Sequence, residues 1–403
     1  MTQILHAPAN HPLNKLAPEL LARVIAAQTD LVDMEFLSAA DLCARVLDDL
    51  KMKLVLPPTL VEQPVATIAD ASSKDLTAFF MRLLTENGVP AQAIRLHAAN
   101  LSHRVQLLRA FRNPDAVIST TCSKVLEIMS RFPATAKDIQ CGRNPGDVLD
   151  PYILAAAQGL IYAGAWEETV TATITHKILM MIEGLMGHLH EDILGAMRGN
   201  VRAPEPRGKD QEKLHAIENP FPGADVLQPP LGARRPLRLH QLKSKTGSAK
   251  GGDGGRLGKQ LATLRALYGG EVFYDALIGN TLRGHRSMAG VLREAPFVVV
   301  LVGESAFREL TGSPVGAQLL LRLYRAAFDV AAQQSGYKIK DVVAGIYATF
   351  SERAKAAGEG FLESVLNDAV GGAKEDQDSR YFQGARQRAG KKGLQSKTPD
   401  DAL

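Results

Sequence analysis

Residues 223–259 read GADVLQPPLGARRPLRLHQLKSKTGSAKGGDGGRLGK. Ala224–Leu227 and Leu237–Leu242 are short apolar segments in a stretch too rich in proline for continuous helix, which predicts two strands. Asp225 opens the first strand, directly after Pro222-Gly223. In the second, Gln241, Lys243 and Lys245 alternate, so on a strand they share one face while His240, Leu242 and Ser244 take the other. Two adjacent strands then bring one carboxylate, one amide oxygen and one or two ammonium groups to a common point.

Upstream, apolar residues recur every three or four positions in Ser38–Leu56, Leu76–Leu84, Leu101–Phe111 and Val117–Phe132, which predicts helices, with Ser38 as a cap. Breakers stand between them at Pro57-Pro58, Asn113-Pro114 and Asn144-Pro145-Gly146. Thr169–Arg198 is a long amphipathic run that Gly199-Asn200 stops. Downstream, Arg256–Leu267 reads as a helix and Phe297–Val302 (FVVVLV) as the clearest buried strand of the chain. Gly316–Gln334 and Ile339–Ala357 read as two more helices, and from Gly371 onward almost nothing is left to bury. The expected organisation is an N-terminal helical domain over 1–165, an α/β core over 166–370 and a flexible basic tail over 371–403.

Composition sets the class. The 403 residues carry 47 Lys or Arg against 43 Asp or Glu, a net charge of +4, and 45 % of them are apolar, too many for a disordered chain. Cys43, Cys122 and Cys141 form no CxxC pair and have no metal-ligand spacing, which excludes a disulfide scaffold and a zinc finger and fits a reducing cytoplasm. The opening MTQILHAPANHPLNKL lacks the basic start and apolar run of a signal peptide. The longest uncharged apolar stretch, Pro151–Trp166, falls short of the roughly 18–20 residues of a spanning helix, so no membrane span is expected.

Charge concentrates in residues 231–260, where Arg234, Arg235, Arg238, Lys243, Lys245, Lys250, Arg256 and Lys259 face Asp253 alone. The glycine-rich stretch Gly247–Gly258 lets backbone approach a polyanion closely, so the segment reads as a local phosphate-binding surface. An Asp carboxylate and a neutral carbonyl oxygen offer hard ligands to Mg²⁺, which also takes a phosphate. A lysine beside them orients or helps deprotonate an attacking water and balances charge on phosphorus. The set suits metal-assisted phosphodiester hydrolysis. Arg283, His285 and Arg286, a few residues after Phe273 and Tyr274, form a second basic cluster, and arginine forks suit guanine edges or phosphates.

Asp225 followed by Gln241-Leu242-Lys243 resembles the motif of the PD-(D/E)XK nuclease superfamily, with Gln241 in place of the second acid. The order of helix 169–198, strand at Asp225, strand at Gln241–Lys243, helix 256–267 and strand 297–302 is similar to its core. Within it the segment most resembles type II restriction endonucleases, and the whole chain resembles the ApaLI-like family. The resemblance implies an α/β fold, with a mixed central sheet flanked by helices. It implies Asp225 as a metal ligand, Gln241 in the place of a metal-binding acid, Leu242 as a backbone carbonyl ligand and Lys243 as the catalytic lysine. Glutamine lowers the negative charge of such a site, and Glu183, Glu191 or Glu218 is positioned in sequence to compensate. The implied activity is Mg²⁺-dependent cleavage of double-stranded DNA at a short palindromic site, six bases long, by a homodimer in a cell holding a partner methyltransferase. Lys245, Lys250, Arg256, Arg283 and Arg286 are the candidate DNA contacts.

Other patterns compete. Asp225 after Pro-Gly also suits a turn-capping carboxylate, and alternating lysines also suit the solvated face of an edge strand. A non-catalytic DNA-binding protein would use the same basic segment. Gly303-Glu304-Ser305 resembles the nucleophile elbow of a serine hydrolase, although Phe307 stands where the second glycine belongs. His188 and His190, beside Glu191, do not face one another on a helix and read as helix surface. Gly254–Gln260 mimics a P-loop, yet Gln260 stands where Ser or Thr must ligate Mg²⁺.

Overall fold

The computed structural model describes residues 7–130, 150–162, 164–204, 220–245, 253–279, 286–335 and 339–370. The expected tail 371–403 and the first half of the glycine-rich stretch, 247–252, lie outside them. The first half is helical: α1 (Pro18–Thr29), α2 (Val32–Glu35), α3 (Ala39–Asp49), α4 (Ala66–Ala69), α5 (Ser73–Glu86), α6 (Ala91–Ala110), α7 (Pro114–Met129) and α8 (Pro151–Leu160). Then come α9 (Trp166–Gly195), β1 (Val201–Arg202), β2 (Val226–Gln228), β3 (Arg238–Lys245), α10 (Asp253–Tyr268), β4 (Glu271–Ile278), α11 (Arg286–Glu294), β5 (Val299–Val302) and α12 (Glu304–Thr311). The last helices are α13 (Gly316–Ser335), α14 (Ile339–Ala357) and α15 (Phe361–Val370).

Polar caps mark where the helices begin. Ser38 accepts from the Asp41 N–H at 3.2 Å ahead of α3, and Ser72 accepts from the Asp75 N–H at 3.1 Å ahead of α5. Asp150 accepts from the N–H groups of Tyr152 and Ile153, with Pro151 as the first residue of α8. At the far end of α9, the Asn200 side chain donates to the Leu194 carbonyl at 2.8 Å, satisfying a group the helix leaves open.

Two compact units result, one made of Met1–Met129 with Ile182–Gly336, the other of Ser130–Met181 with Tyr337–Leu403. In the second, Leu154, Val170, Ile174, Ile346, Phe350, Phe361 and Val365 are buried. The first holds a five-stranded sheet in the order β1-β2-β3-β4-β5. β2 is antiparallel to both β1 and β3, with Val226 opposite His240; β4 is parallel to β3, with Gln241 beside Tyr274, and β5 is parallel to β4. A parallel pair needs a long crossover, which α10 and α11 supply.

Helices cover both faces, giving an α/β fold with a mixed sheet. On one face Leu239, Val272 and Tyr274 pack with Leu20 and Val24 of α1, Leu261 and Leu264 of α10 and Val291 of α11. On the other, Val226, Leu242 and Leu277 pack with Leu189 and Ile193 of α9, Phe307 of α12 and Leu319 of α13. A third cluster joins α3 to α6 through Leu42, Val46, Leu76, Phe80 and Leu101. Among the described residues no helix is long and apolar enough to cross a membrane.

Two strand expectations need correction. FVVVLV does not supply the most buried strand: β5 is partly exposed along its length, with Val299 at 41 %. The interior strand is β4, EVFYDALI, whose six central residues are buried; it pairs with β3, and the sequence pattern assigns no strand there. Asp275 interrupts its apolar run and hid it. The glycine reading changes too. Gly254, Gly255 and Gly258 belong to α10, and a Cβ on Gly258 would lie 2.8 Å from the Val291 carbonyl oxygen of α11. Within α10 these glycines serve close helix packing, in place of a loop opened to a polyanion.

Candidate functional site

Backbone pairing fixes Asp225 at the entry to β2. Its N–H donates to the His240 carbonyl at 2.7 Å, and its carbonyl accepts from the Ala203 N–H at 2.9 Å. Held from both sides, the side chain turns toward β3. There Oδ2 accepts from the Leu242 N–H at 2.7 Å and from Gln241 Nε2 at 2.5 Å. The same Nε2 donates to the Leu242 carbonyl at 3.1 Å. The amide of Gln241 therefore bridges two of the oxygens expected as metal ligands, Asp225 Oδ2 and the Leu242 carbonyl.

Asp225 and Gln241 are both buried. Burial pushes the Asp225 carboxyl up to about 7, and the neighbouring Glu191 carboxylate adds to the rise. The Leu242 N–H, the Lys243 ammonium and the Arg202 guanidinium act in the opposite direction, favouring the ionised form. Lys243 is half-buried on the Gln241 side of β3.

One member of the site escaped the sequence reading. Arg202, on β1, contacts Glu191 through Nη2, lies 3.4 Å from Asp192 through Nε and 3.9 Å from Asp225 Oδ1 through Nη1. It also donates to the Asp225 carbonyl at 3.0 Å. Asp192 is shared with Lys124 of α7, and Glu191 lies 3.5 Å from His188 Nδ1. The readable signal was the helix stop at Gly199-Asn200, which turns the chain back so that Arg202 returns beside the acids about ten residues before it.

Of the three auxiliary acids, Glu191 is the one brought to Asp225. Glu183 is exposed two turns earlier on α9, and Glu218 lies outside the described residues. Among the candidate DNA contacts, Arg256 is exposed on α10, while Lys250 and Arg283 lie outside the described residues. Lys245 ends β3 and Arg286 starts α11, and their side chains also fall outside. The basic run 231–260 does not form one surface. Arg238 pairs with Glu271 and Glu309, and Arg235 turns into a cavity wall, because strand alternation and the turn before β3 send these side chains to different sides.

The competing patterns take other roles. His190 is not on the helix surface: its Nδ1 lies 3.0 Å from the Tyr324 hydroxyl, and burial lowers its pKa to about 4, so it is neutral. Ser305 donates to the Val302 carbonyl at 2.9 Å in the first turn of α12, and the strained elbow residue is Gly303 (φ 60°, ψ −124°) instead of the serine. A second buried acid stands across the sheet. Asp275 Oδ2 is 2.8 Å from His240 Nδ1, both side chains are fully buried, and His240 stacks on Phe273 with centroids 4.6 Å apart.

Compared with known proteins, the chain matches no family model and no curated protein.

Proposed function

We propose that this protein is a Mg²⁺-dependent endonuclease of the type II restriction class. It would cut double-stranded DNA at a short palindromic site, most simply one of six bases. The observation that carries this reading is the convergence of the Gln241 amide, the Leu242 N–H and the Lys243 ammonium on the buried carboxylate of Asp225, with the same amide bridging to the Leu242 carbonyl. The succession of α9, the antiparallel β1-β2-β3, α10 and the parallel β4 supports a PD-(D/E)XK-like core around it.

The donor set suits a magnesium ion. A half-turn of the Gln241 amide replaces Nε2 by Oε1, giving a hard oxygen beside Asp225 Oδ2 and the Leu242 carbonyl, with Glu191 nearest in reserve. Among the described residues no group of three or more His, Cys, Asp or Glu could hold a metal, so the set is poor in charge. When bound, Mg²⁺ polarises a phosphate oxygen as a Lewis acid. Because the protein offers little negative charge, Asp225, the Leu242 carbonyl and a turned Gln241 amide would hold such an ion only weakly on their own.

Lys243 Nζ orients the attacking water, shares its proton and offsets the charge that develops on phosphorus. Arg202 holds Glu191 and Asp192 and limits where Asp225 can point. Lys245, Lys250, Arg256, Arg283 and Arg286 follow the DNA backbone or base edges. Cutting both strands of a palindrome takes two such centres related by a dyad, hence a homodimer. A cell holding the enzyme protects its own sites with a methyltransferase.

A non-catalytic DNA-binding protein is the second reading, and Arg202, already spanning Glu191 and Asp225, is the observation in its favour. Phage λ DNA incubated with the protein in Mg²⁺ or EDTA, beside a Lys243→Ala variant, separates the two. Discrete fragments that need Mg²⁺ and disappear in the variant support the endonuclease. Smearing removes the sequence-specific part. DNA left intact in several metals but retarded on a gel moves the binding protein to the front.

A further inference from the structure

A cavity of about 310 Å³ in the first unit lies between α2, α4, the end of α12 and the outer end of β2. It is on the sheet side that carries Val226 and Gln228, away from the Asp225 carboxylate, and nothing about it rests on the nuclease reading. Three buried side-chain atoms without a hydrogen-bond partner belong to residues of its wall: Arg198 Nη2, Arg235 Nε and Gln228 Oε1.

Both arginines are fixed. Arg198, 3 % exposed, donates through Nε to the Leu108 carbonyl at 2.7 Å and pairs through Nη1 with Asp30 at 3.2 Å and Glu35 at 2.5 Å, which leaves Nη2 over. Arg235 donates to the Pro229 carbonyl at 3.2 Å and makes no ion pair among the described residues. Its guanidinium packs on Gly199, next to Arg198: a Cβ there would lie 3.6 Å from Arg235 Nη2. Three acids also line the cavity, but Asp70 pairs with Arg109, Glu309 pairs with Arg238, and Asp33 is 63 % exposed. Burial lowers the Arg235 pKa to about 10, the neighbouring Arg238 adds to the fall and the Glu309 carboxylate opposes it, so the group stays cationic at neutral pH without a carboxylate in ion-pair contact among the described residues.

We propose that this cavity binds the phosphate group of a small molecule, seated between Arg198 Nη2 and Arg235 Nε. Donors from two differently placed guanidinium groups suit a tetrahedral oxyanion, whereas a planar carboxylate prefers the parallel fork of one arginine. Gln228 Oε1 is an acceptor and calls for a hydroxyl, which a protonated phosphate oxygen or the rest of the ligand supplies. The volume stands at the small end of the range for small-molecule pockets.

Equilibrium dialysis with radiolabelled inorganic phosphate, beside thermal unfolding in phosphate or in chloride of equal ionic strength, tests this. The variants are Arg235→Gln and Ala66→Phe; the second puts a bulky side chain on an exposed residue of the cavity wall and removes no guanidinium. Wild-type protein takes up one phosphate saturably and unfolds at a higher temperature in phosphate. Arg235→Gln binds about tenfold or more weakly, and Ala66→Phe loses binding. If one variant does not fold, the other decides. No saturable uptake, or uptake unchanged in the folded variants, overturns the proposal. Displacement by acetate at equal concentration overturns the choice of phosphate, and displacement by a short DNA duplex overturns the assignment to a small ligand.

Discussion

Asp225 and Asp275 are both buried carboxylates, on neighbouring parts of one sheet, and burial is the largest cause raising the pKa of each. Their surroundings differ in kind. Asp275 faces the apolar side of Leu242 and Leu277, is fully enclosed and is answered by one partner, His240, stacked on Phe273. Asp225 is met by a backbone N–H, an amide and a nearby ammonium, with a guanidinium and a second carboxylate at its back. A perturbed pKa alone therefore does not separate a site from a core pair. Convergence of several unlike polar groups on one acid does.

The largest stability effect is expected at the enclosed acid. Asp275→Ala leaves His240 buried without a partner and should cost about 3–5 kcal/mol in denaturant unfolding. Replacing both by leucine should recover most of that. If Asp275→Ala were neutral, the contrast between core pair and site would fail.

Asp225→Asn should act with the opposite sign. The folded-state pKa is raised from the ordinary value near 4 to about 7, so the contribution is favourable below about pH 4 and is lost as pH rises through 7. Without metal, wild-type stability should fall across that window by an amount on the order of a few kcal/mol, and the variant should lose that slope and be the more stable at pH 8. A parallel pH profile for the two proteins would refute the assigned cause.

Gln241→Glu sharpens the comparison most gently. It adds one carboxylate to a charge-poor set, so calorimetry without DNA should show Mg²⁺ binding about tenfold tighter. Unchanged affinity would place the metal elsewhere.

Much of this was legible in residue order. Asp225, Gln241 and Lys243 follow from a strand period of two and a turn, and the helices from their apolar spacing and caps. β4 was not, because its central Asp275 looks like a breaker until His240, 35 residues earlier in the chain, is known to meet it. FVVVLV misled in the other direction: apolar content marks a strand but does not say which strand stands inside. Arg202 was marked only indirectly, by the helix stop at Gly199-Asn200 that returns the chain to its partners. The split of the basic run between ion pairs, cavity wall and surface is equally a product of side-chain direction, which charge counting ignores.

The most direct test compares wild type with Asp225→Asn on supercoiled plasmid in Mg²⁺, with DNA binding measured on the same samples in Ca²⁺. Linear plasmid is expected from wild type, with cleavage at least about 10³-fold slower in the variant and binding by both. A variant that cuts as fast as wild type, or a wild type that binds and never cuts in any divalent metal, would contradict the endonuclease reading.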